Sequence, residues 1–403
     1  MNDNLAAFPA SGWRRNLVLP KRLALGVTFV ALLSACGGSA STPPKTATPA
    51  TAAPTVAAPT ETPAASVAAG LKIGLVTDVG VVEDKSFNEY SWKGAQKGAT
   101  DVGGTADVLQ TKQPSDYATN IQTFIDQGYD IIVTTGFALG DATALAAKAH
   151  PAIHFIGVDQ GVCVDEAGAP DPTFGCKGDA SKLLPNYQGI VFDEAQPGYL
   201  AGIVAASISK TGVIGTVGGI NTIPAILKYI KGYENGAKAT NPNIKVLELY
   251  ISDDITKAFN DPATGKSIAQ QMIGQKADVL FQVAGLSGQG VLSAACDANV
   301  YGIGVDVDQY VSVPTTAKCT VTSAEKKLLE AVDAAIVRIS KGTDVGGNVI
   351  GNAAADPPLI GLSPFYEFAT LITPDTQKKI DDALAAMKAG TLDPCKPVSC
   401  AKP

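Results

Sequence analysis

Histidine is almost missing: 403 residues contain two, His150 and His154. A seryl or cysteinyl nucleophile therefore has no evident base partner. Neither H-E-x-x-H, G-x-S-x-G nor H-x-E…C-x-x-C occurs, and no C-x-x-C offers a metal clasp. No metal, cofactor or covalent chemistry is expected. Positive charge is also short, with 31 Lys and Arg against 38 Asp and Glu, a net charge of −7. The first 35 residues carry +3, from Arg14, Arg15, Lys21 and Arg22 against Asp3, so the remainder stands at −10. A body that acidic excludes nucleic acid as the expected partner. Beyond residue 36 no run of 18 apolar residues occurs, so no second membrane element is expected. Hydrophobic residues at 46% and charged residues at 17% describe a globular chain, long enough for two packed domains.

Arg14 to Arg22 forms a basic stretch, and Leu23 to Leu33 an apolar one too short to span a bilayer comfortably. It ends in Leu33-Ser34-Ala35-Cys36, which resembles the lipobox of bacterial lipoproteins. Residues 1–35 are expected to be a signal peptide, with Cys36 lipidated and holding the protein to the outer face of the membrane. Residues 36–70 are mostly Ala, Thr, Pro, Ser and Gly, with nothing to bury, and read as a linker.

Setting Cys36 aside leaves six cysteines, Cys163, Cys176, Cys296, Cys319, Cys395 and Cys400, which outside the cytoplasm read as disulfides. Fifteen pairings are possible for six. The local set is preferred: Cys163–Cys176 in a polar loop, Cys296–Cys319, and Cys395–Cys400 in a Pro-rich tail.

From Leu71 apolar runs alternate with helical stretches. Strands are expected at 72–76, 131–134, 154–158, 190–192, 213–217, 245–250, 279–283 and 301–305. Helices are expected at about 87–102, 141–149, 195–207, 223–239, 267–274, 325–341 and 374–389. That rhythm means parallel sheets covered on both faces, here two doubly wound α/β lobes. In such sheets ligands sit beyond the carboxyl ends of the strands. The residues found there are Asp78, then Gly136 and Phe137, Asp159, Gly285 and Asp306. Each aspartate alone would more often cap the next helix; three in equivalent positions favour a site. The glycine-rich stretches at 212–219 and 285–290 match neither a dinucleotide nor a P-loop pattern and read as tight turns.

The run Val76-Thr77-Asp78-Val79-Gly80 to Glu83-Asp84-Lys85-Ser86-Phe87-Asn88 resembles the opening motif of the basic membrane protein family, the purine-nucleoside-receptor lipoproteins of ABC importers. Glu83 replaces the first Asp of that motif's acidic pair. Further matches follow in order: Thr135-Gly136-Phe137, Phe155 to Asp159, Glu194 to Gly202, Gly215 to Gly219, Ala258 to Pro262, Ala284-Gly285, Gly304 to Gln309, and Ser323 to Lys326.

The resemblance covers about 71–392 and implies a type I periplasmic-binding-protein clamshell. Lobe 1 would span 71–192 with about 320–350, and lobe 2 193–319 with part of 351–403. It also implies site roles. Phe87 and Phe259 would sandwich a base, from opposite lobes. Asn88 would bond the base edge, with Asp78 and Asp159 near it. Asp306 and Lys326 would hold the ribose hydroxyls, with Gly285 giving a backbone contact and Phe137 lining the cleft. The implied partners are a nucleoside and ABC permease and ATPase subunits, and a monomer is expected. A clamshell that senses the ligand for a receptor, or hydrolyses a nucleoside, remains open on the sequence.

Overall fold

A computed structural model describes residues 70–401 apart from 172, 174 and 345. The expected signal peptide, Cys36 and the linker up to residue 69 lie outside the described residues.

The chain opens with β1 (Lys72–Val79), α1 (Phe87–Asp101), β2 (Thr105–Thr111), α2 (Tyr117–Asp126), β3 (Ile131–Thr135), α3 (Gly140–Ala149) and β4 (His154–Val158). A disulfide-closed loop and the short α4 (Ala180–Leu183) lead to β5 (Tyr187–Phe192). The chain then crosses to a second sheet through α5 (Ala195–Ile208), β6 (Val213–Gly218), α6 (Pro224–Thr240), β7 (Lys245–Tyr250), α7 (Ile255–Ala258), α8 (Pro262–Gly274), β8 (Val279–Val283), α9 (Gly285–Asp297), β9 (Tyr301–Asp306), α10 (Gln309–Ser312) and β10 (Thr320–Lys326). It returns through α11 (Leu328–Ser340) and β11 (Gly347–Gly351), then leaves again for β12 (Ile360–Leu362) and α12 (Pro374–Lys388).

The first sheet has the order β11-β5-β4-β3-β1-β2, all parallel. The second has the order β12-β10-β9-β8-β6-β7, parallel except for β12 on its edge. Central strands such as β3 and β8 are buried along their whole length, as sheets covered by helices on both faces require. Each fully buried Ile, Leu, Val or Phe there contributes roughly 1.5–3 kcal/mol relative to exposure.

Helix α5 shows how packing places a site residue. It is buried on nearly every side, against α6, α12, β10 and β12. Its glycines let α6 approach: a Cβ on Gly198 would lie 2.3 Å from the Tyr229 carbonyl oxygen. That approach sets the depth of Tyr229.

Three expectations need correction. The return to the first lobe was expected near Thr320, but β10 belongs to the second sheet between β9 and β12, and the crossing follows Lys326. The helix expected at 325–341 begins at Leu328, because the buried helical period runs through Leu328, Ala331, Val332, Ala335, Ile336 and Ile339. Glu325 and Lys326 end a strand whose seven residues are all buried. The glycines at 285–290 open α9 rather than a turn. Gly290 sits where a Cβ would be 1.8 Å from the Pro262 carbonyl oxygen, so small residues there let α8 pack close. Strands β2, β11 and β12 and helix α2 were not foreseen. The strands sit on sheet edges and carry short or half-exposed apolar patterns.

The cysteines pair locally, as Cys163–Cys176, Cys296–Cys319 and Cys395–Cys400. Among the described residues no helix is long and apolar enough to cross a membrane.

Candidate functional site

The carboxyl ends of the two sheets face one another across a cavity of about 660 Å³, including space continuous with solvent. All nine candidates read from the sequence line it: Asp78, Phe87, Asn88, Phe137 and Asp159 from the first lobe, and Phe259, Gly285, Asp306 and Lys326 from the second.

The first wall is set by the start of α1. The Asp84 carboxylate accepts the backbone N–H groups of Ser86, Asn88 and Glu89 at 2.9, 2.9 and 3.1 Å, satisfying donors that a helix start leaves open. Ser86 does not cap the helix with its side chain; its hydroxyl donates to Asp306 Oδ2 across the cleft at 2.9 Å. Burial pushes the Asp84 carboxyl up to about 7, with those three N–H groups working the other way. Asn88 is held through a relay: the Asp78 N–H donates to Thr135 Oγ1, whose hydroxyl donates to Asn88 Oδ1, both at 3.0 Å. The Asn88 Nδ2 donates to the Val81 carbonyl at 3.3 Å, leaving its second hydrogen available to the cavity. Asp78 accepts from the Tyr117 hydroxyl and from the Val79 N–H. Burial still pushes its carboxyl up to about 6. Gly136, with φ of 97°, passes so close that a Cβ would sit 2.1 Å from Asp78 Oδ2.

The floor is an ionic triad. Lys326 Nζ lies 2.5 Å from Asp159 Oδ2 and 3.4 Å from Asp306 Oδ1, joining the lobes. Both aspartates adopt left-handed backbone, with φ of 57° and 66°, a conformation uncommon for non-glycine residues. Each closes the same tetrapeptide, Ile-Gly-Val-Asp, at 156–159 and 303–306. Neither aspartate caps a helix; Asp308 does so for α10. Burial raises the Asp159 carboxyl despite the opposing Lys326 charge. Burial also works against the Lys326 charge, but Asp159, Asp306 and Glu194 outweigh it and hold the amine above the ordinary lysine range. Asp159 Oδ1 is buried without a hydrogen-bond partner among the described residues. A buried carboxylate oxygen left open is costly unless something enters to bond it.

Aromatic side chains provide the remaining surface. The ring of Phe87 carries the Lys326 ammonium over one face, 4.7 Å from its centroid. The ring of Phe259 lies against the backbone of Gly219, where a Cβ would be 2.3 Å from the ring. The four-residue α7 delivers Phe259 to the cavity, and the Asp254 side chain caps that helix.

Sequence reasoning did not assign Asp84, Tyr229 or the apolar Ile223, Ile226 and Val283, which also line the cavity. Asp84 stood inside the recognised motif. Tyr229 follows Ile226 by three residues on the buried face of α6.

A family model described as ABC transporter substrate-binding protein, PnrA-like, matches residues 72–382. The nucleoside-binding protein BmpA of an ABC transporter in Lactococcus lactis is 35% identical over 258 residues, 61% of this chain and 66% of that protein. The CD4+ T-cell-stimulating antigen of Listeria innocua is 31% identical over 328 residues, 77% of this chain and 84% of that protein. Among solved structures, an ABC transporter solute-binding protein from Aeropyrum pernix superposes with a TM-score of 0.67 at 20% identity, covering 80% of this chain and 92% of that one. One from Conexibacter woesei superposes at 0.61 and 24% identity, covering 80% and 98%. The two α/β lobes are thus those of the type I periplasmic-binding-protein clamshell, and the chain belongs to the PnrA-like family of ABC transporter substrate-binding proteins.

Proposed function

We propose that the cleft captures a nucleoside, with a purine base, and that the loaded protein delivers it to the permease of an ABC importer. The observation that carries this reading is the juxtaposition of aromatic walls from both lobes with a buried Asp159–Lys326–Asp306 triad that leaves one carboxylate oxygen open. A nucleoside offers two flat apolar faces, a polar base edge and a diol. Phe87 and Phe259 supply surface for the faces. Asn88 and Asp78 suit the base edge, and the triad suits the diol. Base–aromatic contacts contribute roughly 1–3 kcal/mol each. Hydrogen bonds to charged groups contribute roughly 1.5–3 kcal/mol each before ordering costs. Together they support micromolar or tighter binding, about −8 kcal/mol.

Ligand spanning both lobes favours their closed arrangement, and a permease that prefers that arrangement would receive loaded protein selectively. Lipidation at Cys36 would keep the protein at the outer membrane face, working with permease and ATPase subunits. No step in this cycle calls for covalent chemistry. Calorimetric titration with inosine and guanosine tests the site: Phe259→Ala should weaken both at least tenfold with the thermal transition unchanged. Equal affinity in the variant would remove Phe259 from the ligand and with it the stacked-base reading.

A further inference from the structure

The loop before α1 presents backbone carbonyls that its own lobe does not use. The first helical bond in this stretch runs from the Tyr90 N–H to the Ser86 carbonyl at 3.1 Å. The N–H groups of Asn88 and Glu89 are taken by the Asp84 side chain. The carbonyls of Asp84 and Lys85 are therefore left to point outward, with Lys85 held at φ of 61°. The second lobe meets both. Gln289 Nε2, on α9, donates to the Asp84 carbonyl at 3.1 Å. Ser312 Oγ, at the end of α10, donates to the Lys85 carbonyl at 2.8 Å. Neither Gln289 nor Ser312 lines the ligand cavity.

We propose that Gln289 and Ser312 are positioning residues that form a ligand-independent latch: they grip the loop at Asp84 and Lys85, stabilise the closed lobes, and set affinity without touching the ligand. The loop is suited to this because the Asp84 carboxylate makes it rigid on its own lobe, so gripping its carbonyls fixes the whole lobe. It also carries Phe87 and Asn88 directly after it, so closure through the latch brings these side chains to the second lobe in register. The ligand alone meets the nucleoside reading; the latch rests only on the two-lobed cleft. An apparent dissociation constant rises as the binding-competent fraction falls. A neutral hydrogen bond of ordinary net strength corresponds to roughly a two- to tenfold shift.

The test uses the full chain with Cys36→Ser and spin labels on Leu145→Cys and Gln271→Cys, exposed positions on α3 and α8 in opposite lobes. Pulsed electron resonance then reads the distance between lobes without any ligand. Gln289→Ala and Ser312→Ala should each lower the closed-to-open ratio about two- to tenfold, with the thermal transition near wild type. Ser312→Thr, which keeps the hydroxyl, should restore it. With inosine as probe, both alanine variants should bind more weakly while the ratio of inosine to adenosine affinity stays fixed. Identical distance distributions in the double variant and the parent, whether or not a closed fraction is present, overturn the latch. A parent that ignores inosine counts against the nucleoside reading and leaves the distance measurement decisive for the latch.

Discussion

Replacing Lys326 with Met removes one charge from the floor of the cleft and keeps most of the apolar stem. Lys326 is 3% exposed, and its amine lies 2.5 Å from one buried aspartate and 3.4 Å from another. Without it Asp159 and Asp306 face each other with no cation between them. Breaking a buried ion pair by removing one partner costs roughly 3–5 kcal/mol, because the remaining charge stays desolvated. Urea denaturation at pH 7 should show a loss of that size. The pH dependence carries the sign. Burial already raises Asp159 above its ordinary value, and losing the lysine raises it further. The folded variant therefore takes up a proton that the unfolded chain does not hold, and lowering the pH relieves the repulsion. The loss should be clearly smaller at pH 5 than at pH 7. Adding Asp159→Asn should recover part of it at pH 7. A loss below about 1 kcal/mol at pH 7, or the same loss at both pH values, would refute the triad as described.

Asp78→Asn tests the same wall by its proton linkage. Burial raises the folded carboxyl from 3.8 to about 6, so Asp78 favours folding below its unfolded pKa, and that contribution is lost as pH rises through about 6. The variant should therefore gain on the wild type as pH rises from 4.5 to 8, by about 2 kcal/mol; a gap in denaturation free energy that stays constant would contradict the burial argument. Removing the Cys296–Cys319 bridge by paired serine substitution opens a loop of 23 residues and should cost about 3 kcal/mol, read by the same denaturation. No change in the midpoint would mean the loop is held by α9 and its neighbours alone.

The alternation of strands and helices was legible where apolar runs were fully buried, as in Ile131–Val133 and Val279–Val283, because a central parallel strand leaves no polar face to disguise it. Edge strands such as β2 were not, since half their residues face solvent and they owe their state to a neighbour's ladder. Thr320–Lys326 misled for a related reason. Its polar residues are buried by tertiary partners, Thr322 on Ser363 and Lys326 on Asp159, and a sequence pattern does not announce such partners. The candidates that line the cavity come from the rule of strand ends and from resemblance to a known motif. Tyr229 was missed because its place depends on glycine contacts between α5 and α6. The repeated Ile-Gly-Val-Asp was a signal that could have paired Asp159 with Asp306, since the same turn recurs at the same strand end in each lobe.

Thermal unfolding of the protein against a panel of nucleosides, free bases and sugars tests the central claim most directly. A ligand at about 100 times its dissociation constant should stabilise the native state by roughly 2.7 kcal/mol. The nucleoside reading predicts an upward shift with inosine, adenosine or guanosine and none with ribose or the free base alone. A shift confined to sugars, or none across the panel, would contradict it.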